Sequence, residues 1–221
     1  MKAVALVVAA GRGERLGAPI PKALIPLAGR PLLRHALDAL EAASSIEAVV
    51  VATPPGDERV GEVARSSPLV VAVVEGGASR QASVLAALEA SPEAEVTVCH
   101  DAARPLASAA LVDLVVGAIG PADGAVPVLP DHDTVKRVDG EVVLETVPRS
   151  ELVLAQTPQA FRRDALVAAH RRAAEDGIGA TDDAALLELA GFKVVTVPGE
   201  PQNLKITTAT DLRLAAELVR G

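Results

Sequence analysis

Three cations, Arg12, Arg15 and Lys22, lie on the glycine- and proline-rich stretch GRGERLGAPIPK that follows an apolar run from Ala3 to Ala10. Glycines at the end of a buried strand offer backbone N–H groups to a ligand, and neighbouring cations add charge. The pattern suits an anion carrying several negative charges, such as a triphosphate. Pro19 and Pro21 limit the freedom of the backbone that carries Lys22, which helps hold its ammonium near a phosphate. Two familiar phosphate loops are excluded by spacing. Gly11, Gly13 and Gly17 give G-x-G-x-x-x-G and not the dinucleotide fingerprint, and Lys22 sits between Pro21 and Ala23, outside the P-loop pattern.

Four further stretches carry polar chemistry. GGASRQASV (Gly76–Val84) follows an apolar run and opens a helical pattern, so its first residues can present backbone donors to an anion or a base edge. HDAARP (His100–Pro105) places a carboxylate at a strand end, while QTPQAF (Gln156–Phe161) and NLKIT (Asn203–Thr207) supply amides, hydroxyls and a cation. Other candidates have plainer readings. Arg12 and Glu14 suit a solvated loop pair, His100 a packed residue with one satisfied nitrogen, and Cys99 apolar filler on a buried strand. Arg80 stands open between a pair with Glu75 and a ligand contact. Arg137, Arg162, Arg163, Arg171 and Arg172 read as helix or hairpin surface charge.

The elements that must position these residues follow from the hydropathy pattern. Short apolar runs at Val4–Val8, Ala48–Val51, Leu69–Val74, Val96–Cys99, Ala125–Val128 and Val194–Val197 predict strands. Between them, Leu33, Ala36, Leu37 and Leu40, then Val84, Leu85 and Leu88, then Leu111, Leu114, Val115 and Ala118 keep helical spacing. Near-continuous apolar strands separated by helices predict an α/β chain with a Rossmann-like, doubly wound, mostly parallel sheet covered on both faces. The 221 residues read as a single domain, 1–221. One segment departs from the pattern. DTVKRVDGEVVLETV alternates as two strands joined at Asp139-Gly140, and predicts a protruding β-hairpin arm over 131–150. An isolated hairpin is marginal in water, so it folds back on its own domain or embraces a second subunit.

Composition narrows the partners. A formal net charge of −8, no Trp, no Tyr and two Phe oppose nucleic-acid binding, which needs a basic face or stacking aromatics. The single cysteine excludes an intrachain disulfide and suits a reducing cytoplasm. The opening apolar run is too short to span a bilayer.

The motifs come in the order found in a known family. The opening loop resembles the signature of sugar-phosphate nucleotidyltransferases. With DTVKR and the four stretches above, the chain from about residue 3 to Arg213 resembles the 2-C-methyl-D-erythritol 4-phosphate cytidylyltransferase family of the non-mevalonate isoprenoid pathway. The resemblance implies transfer of CMP from CTP to the polyol phosphate with release of pyrophosphate. It implies Arg15 and Lys22 as catalytic, with Mg²⁺ bridging CTP phosphate oxygens. Ala9, Ala10, Gly11 and Gly13, with Gly76, Ala78 and Ser83, would bind the nucleotide. Asp101, Arg104, Thr134, Arg149, Thr157, Thr181 and Lys205 would bind the acceptor, with Asp101 near the metal and Thr134 and Arg149 reaching it from the partner of a homodimer formed through the hairpin arm.

Two departures from the family pattern stand out. The Leu-Trp pair often found upstream of Thr-Pro-Gln is Leu152-Val153 here, and an Asp that precedes Asn-x-Lys in some members is Gln202. Ribitol 5-phosphate cytidylyltransferase is the nearest alternative, and QTPQ with the ITT ending favours the erythritol enzyme. From a different class, a non-catalytic CTP-binding regulator is opposed by the presence of both Arg15 and Lys22. The length leaves no room for a fused second enzyme, so a single activity is expected.

Overall fold

The computed structural model describes residues 1–13 and 16–220. In chain order the strands are β1 (Ala3–Val8), β2 (Pro26–Leu27), β3 (Arg30–Pro31), β4 (Ile46–Thr53), β5 (Val70–Glu75), β6 (Val96–Asp101), β7 (Gly124–Pro130), β8 (Val135–Asp139), β9 (Val142–Val147), β10 (Val153–Ala155), β11 (Gln159–Arg162) and β12 (Val194–Pro198). The α-helices are α1 (Leu32–Ala42), α2 (Glu58–Arg65), α3 (Arg80–Glu89), α4 (Ala109–Gly117), α5 (Arg163–Asp176), α6 (Asp183–Leu189) and α7 (Ala209–Arg220).

Eight strands form one sheet in the order β5-β4-β1-β6-β11-β7, with β12 parallel to β7 and β10 also paired to β7. All six expected strands are present, with ends that differ by one or two residues. β1 and β4 are nearly continuous apolar runs, and every residue of β6 is buried, because helices cover both faces. Ala3, Ala5 and Val7 face the cluster built by α1, α2 and α4, while Val4 and Leu6 face the one built by α3, α5 and α6. In α1 the buried Leu33, Ala36, Leu37 and Leu40 form the stripe that its spacing predicts.

β10 and β11 run antiparallel to β7, and β11 also runs antiparallel to β6. Neither was legible as a strand, because β10 has three residues and β11 carries Gln159 and Arg162. The hairpin is present as β8 and β9, but its turn lies one residue later than expected. Asp139 pairs with Val142, so the central residues are Gly140 and Glu141, with Gly140 at φ +54°. A positive φ at the first central position is where a two-residue hairpin turn of the II′ kind wants glycine.

The topology creates the site. After β1 the chain moves to β4 on one side and later returns to β6 on the other. Ligands in open α/β sheets bind at such a switch point, beyond the C-terminal ends of the strands. Among the described residues no helix is long and apolar enough to cross a membrane.

Candidate active site

A cleft of about 950 Å³ opens beyond β1, β5 and β6. Its first wall is the loop after β1. Ala9 is anchored by its N–H to the Ala52 carbonyl at 2.8 Å, and the chain then turns so that Lys22 N donates to the Gly11 carbonyl at 3.1 Å. Gly13 makes the turn possible. It holds φ +74°, and a Cβ there would lie 3.1 Å from Lys22 Cβ. Lys22 opens a short 3-10 turn, Lys22–Leu24, followed by buried Ile25. Its backbone is therefore fixed from both sides, with the side chain lining the cleft. Arg15 and Glu14 lie outside the described residues; Arg12, exposed, also lines the cleft.

The second wall joins β5 to α3. Gly76 N donates to the Thr53 carbonyl at 2.8 Å, and Ser79 caps α3 by accepting from Ala82 N at 3.0 Å. The N-terminus of α3 thus borders the cleft, where unpaired backbone donors favour an anion. Gly76 and Ala78 line it. Ser83 lines it too, although its hydroxyl already donates to the Ser79 carbonyl at 2.8 Å, leaving its oxygen to accept.

Asp101 ends β6 on the floor. Its Oδ1 accepts from Arg80 Nε at 3.0 Å and its Oδ2 from Lys205 Nζ at 2.7 Å. Burial alone would raise this carboxyl, but the charges of Arg80 and Lys205 outweigh burial and hold it well below the usual carboxylate range. Arg80 therefore does not pair with Glu75, and it lines the cleft. Its second partner is Asp183, at 2.7 Å, and Glu75 instead accepts from Gly56 N at 3.0 Å.

Other expected residues stand behind or away from the cleft. Thr157, 5 % exposed, accepts from Asp101 N at 3.0 Å and hydrogen-bonds His100 Nδ1 at 3.1 Å, so its hydroxyl is engaged inside the fold. Arg104 donates to the carbonyls of Asn203 at 2.7 Å and Ala155 at 3.2 Å. These two residues brace Asp101 and the segment leading to Lys205. Thr134 and Arg149 are exposed at the base of the hairpin, where Arg149 Nη1 donates to the His132 carbonyl at 2.8 Å. Thr181 is exposed in the turn before α6. None of these five lines the cleft. Thr207, the last residue of the NLKIT stretch, does line it, as do Pro54 and Pro55, which no motif in the sequence marked.

Among the described residues no group of three His, Cys, Asp or Glu side chains could cage a metal, and Asp101 is the one acidic residue on the cleft wall. That donor set fits Mg²⁺ held mainly by phosphate oxygens and water, with at most one protein carboxylate.

His100 is packed, as its plain reading required. Burial pushes it down to about 4, so it is neutral near pH 7. Its ordinary value near 6.5 makes this a lowered base. The stability it contributes is whole above about 6.5 and is lost as pH falls toward 4, before the lowered Asp101 carboxyl titrates. Urea unfolding is expected to show about 2 kcal/mol lost between pH 7 and pH 5 through this group, and a smaller loss in His100→Asn.

Comparison with known proteins places this geometry. The family model described as 2-C-methyl-D-erythritol 4-phosphate cytidylyltransferase matches residues 3–221. A protein of that name from Saccharopolyspora erythraea is 49 % identical over 222 residues, covering 97 % of this chain and 98 % of the relative. The bifunctional enzyme IspD/IspF of Rhodospirillum rubrum is 45 % identical over 223 residues, and the chain spans 58 % of its length. The crystal structure of 2-C-methyl-D-erythritol 4-phosphate cytidylyltransferase from Thermus thermophilus superposes over all of both chains with a TM-score of 0.83 at 38 % identity.

Proposed function

The chain belongs to the 2-C-methyl-D-erythritol 4-phosphate cytidylyltransferase family, and from that premise we propose that it transfers CMP from CTP to 2-C-methyl-D-erythritol 4-phosphate in isoprenoid precursor synthesis. The observation that carries this reading is the cleft at the β1/β6 switch point, where Lys22 lines one wall and the Asp101–Lys205 pair the floor. An acceptor phosphate oxygen attacks the α-phosphorus of CTP in line. The new O–P bond forms as the bond to the β-phosphate oxygen breaks, and pyrophosphate leaves with that electron pair. No enzyme nucleophile is required, so catalysis consists of positioning and charge stabilisation.

Lys22, on its fixed backbone, opposes the negative charge that gathers on the α-phosphate and on the leaving pyrophosphate, and Arg15 is assigned the same task. Backbone donors of Ala10–Gly13 and of the α3 N-terminus hold the nucleotide, with Ala9 lining the cleft beside them. Asp101, ionised, accepts from hydroxyls of the polyol, with Lys205 beside it and Thr157 and Arg104 bracing it from behind. Bound Mg²⁺ would neutralise triphosphate oxygens, with Asp101 placed to reach it.

We assign the hairpin arm to a homodimer. Val138, Val142, Val143 and Leu144 are all more than half exposed on it, as are Val153 and Leu154 on the adjoining edge strand β10. Such a patch marks an interaction surface, and a dimer would carry Thr134 and Arg149 toward the partner's acceptor subsite. Sedimentation velocity is expected to find a dimer that Val142→Asp with Leu144→Asp converts to a folded monomer of much reduced activity. A monomeric wild-type protein overturns the assignment.

Pyrophosphate release from CTP and Mg²⁺, with methylerythritol 4-phosphate and ribitol 5-phosphate as separate acceptors, tests the reaction. Turnover with the first acceptor is the expected result. Turnover with ribitol 5-phosphate alone would move the chain to the other acceptor, and CTP binding without turnover on either would make it a regulator.

A further inference from the structure

A row of buried charges leads away from the cleft, and the proposed reaction leaves its far end without a task. Arg80, first residue of α3, is split between two carboxylates. Its Nε donates to Asp101 and its Nη1 to Asp183 Oδ2, while Nη2 is buried with no hydrogen-bond partner among the described residues. Asp183, first residue of α6, is 0 % exposed, and its other oxygen meets His170 Nε2 of α5 at 3.2 Å. His170 is itself 1 % exposed.

The arrangement has a physical tension. A guanidinium and a carboxylate prefer to meet as a fork on a fork, through two parallel N–H···O bonds. Here the fork is open: one arm is on Asp183, one arm is idle, and Nε is spent on Asp101. Burial alone would raise the Asp183 carboxyl, but the His170 hydrogen bond and the Arg80 charge hold it low, so it is ionised and only accepts. His170 Nε2 is therefore the donor. With His170 on Oδ1, Arg80 meets Asp183 through Oδ2 alone. The Cys99 thiol, kept protonated by burial and by the Asp183 charge, is a weak donor in the same surroundings and a poor substitute.

We propose that His170 is a positioning residue for the acceptor subsite: by holding Asp183 Oδ1 it keeps the Arg80 guanidinium turned toward Asp101. The proposal rests on the reading of Asp101 as the residue that receives the acceptor's hydroxyls. Without the imidazole, Oδ1 is a buried carboxylate oxygen in need of a donor, and the Arg80 fork closes on Asp183. Asp101 then loses one of its two cations and with it the orientation of Oδ1.

The test compares His170→Phe, which fills space without a donor, with His170→Gln, whose Nε2 can reach Asp183. KM for methylerythritol 4-phosphate is expected to rise about tenfold in the Phe variant, the scale of one charge-assisted hydrogen bond, with kcat within about threefold and KM for CTP within about twofold. His170→Gln is expected to restore most of the difference. His170→Met, with a flexible chain and no donor, serves if Phe does not fold. In an Arg80→Gln background His170→Phe is expected to add nothing, because its effect runs through Arg80.

Additive effects in that double variant overturn the proposal, as does equal behaviour of the Phe and Gln variants. Asp101→Asn separates the two levels of the argument. An acceptor KM raised by Asp101→Asn but untouched by His170→Phe sinks the relay alone. Indifference to both sinks the reading of Asp101 and the relay with it.

Discussion

Lys22→Ala is expected to lower kcat about a thousandfold, the upper range for removing one preorganised group that stabilises transition-state charge. The loop should survive the change. Lys22 is held through its backbone, by Gly11, and the following Ala23 and Ile25 are buried, so truncation beyond Cβ removes charge and leaves the turn. CTP affinity is expected to weaken only about tenfold, since backbone donors and the other cations of the cleft still face the triphosphate. Single-turnover pyrophosphate release under saturating CTP reads the chemical step directly. A fall of only a few-fold in that step would make Lys22 a binding charge and leave the leaving group to other residues.

The second large effect comes from a residue with no side chain. Gly76→Ala would place a Cβ 2.5 Å from Ala10 Cβ, 2.8 Å from Ser83 Oγ and 3.2 Å from the Thr53 carbonyl oxygen. These neighbours cannot swing aside. Ala10 follows β1 and Thr53 ends β4, both strands inside the sheet, and Ser83 is tied to Ser79 at the start of α3. The two walls of the nucleotide cleft must therefore move apart. Overpacking of this kind costs about 1–3 kcal/mol, and CTP affinity is expected to fall about a hundredfold with it. Calorimetric CTP titration with thermal unfolding checks both. Gly117→Ala, where a Cβ meets nothing within 4 Å, is the stability control. Unchanged CTP affinity in Gly76→Ala would show that the nucleotide does not lie between these walls.

Much of this site was legible because its parts are short, local and sit at strand ends. The Gly11–Lys22 loop, the Gly76–Ser83 turn and Asp101 each follow an apolar run, so finding the strand finds the residue. Partners far apart in the chain were not legible. Arg80 is 21 positions from Asp101 and 103 from Asp183, and no local pattern tells it to ignore Glu75 five positions away. The same limit explains Thr157, whose motif marks the right region while its hydroxyl is spent behind the cleft. β11 went unseen because a strand of four residues with a glutamine and an arginine carries little apolar signal. In the hairpin, local chemistry named the glycine correctly. The register of β8 against β9, broken by an irregularity at Arg137/Val138, decided which side of it the turn takes.

A third apolar cluster has a consequence in time. Leu16, Ala18 and Ile20 of the opening loop pack with Ile25, Leu27 and Leu32 against Ile206, Leu212 and Ala215 of the segment after Lys205 and of α7. The first and last parts of the sequence thus support each other. A chain leaving the ribosome exposes the phosphate loop early, yet the apolar side of that loop lacks Ile206, Leu212 and Ala215 to pack against until α7 emerges. Contacts so distant in sequence form late, because closing a long loop costs entropy before any packing is gained. The sheet can assemble strand by strand while the anion site waits, and the anion site is among the last parts of the molecule to set.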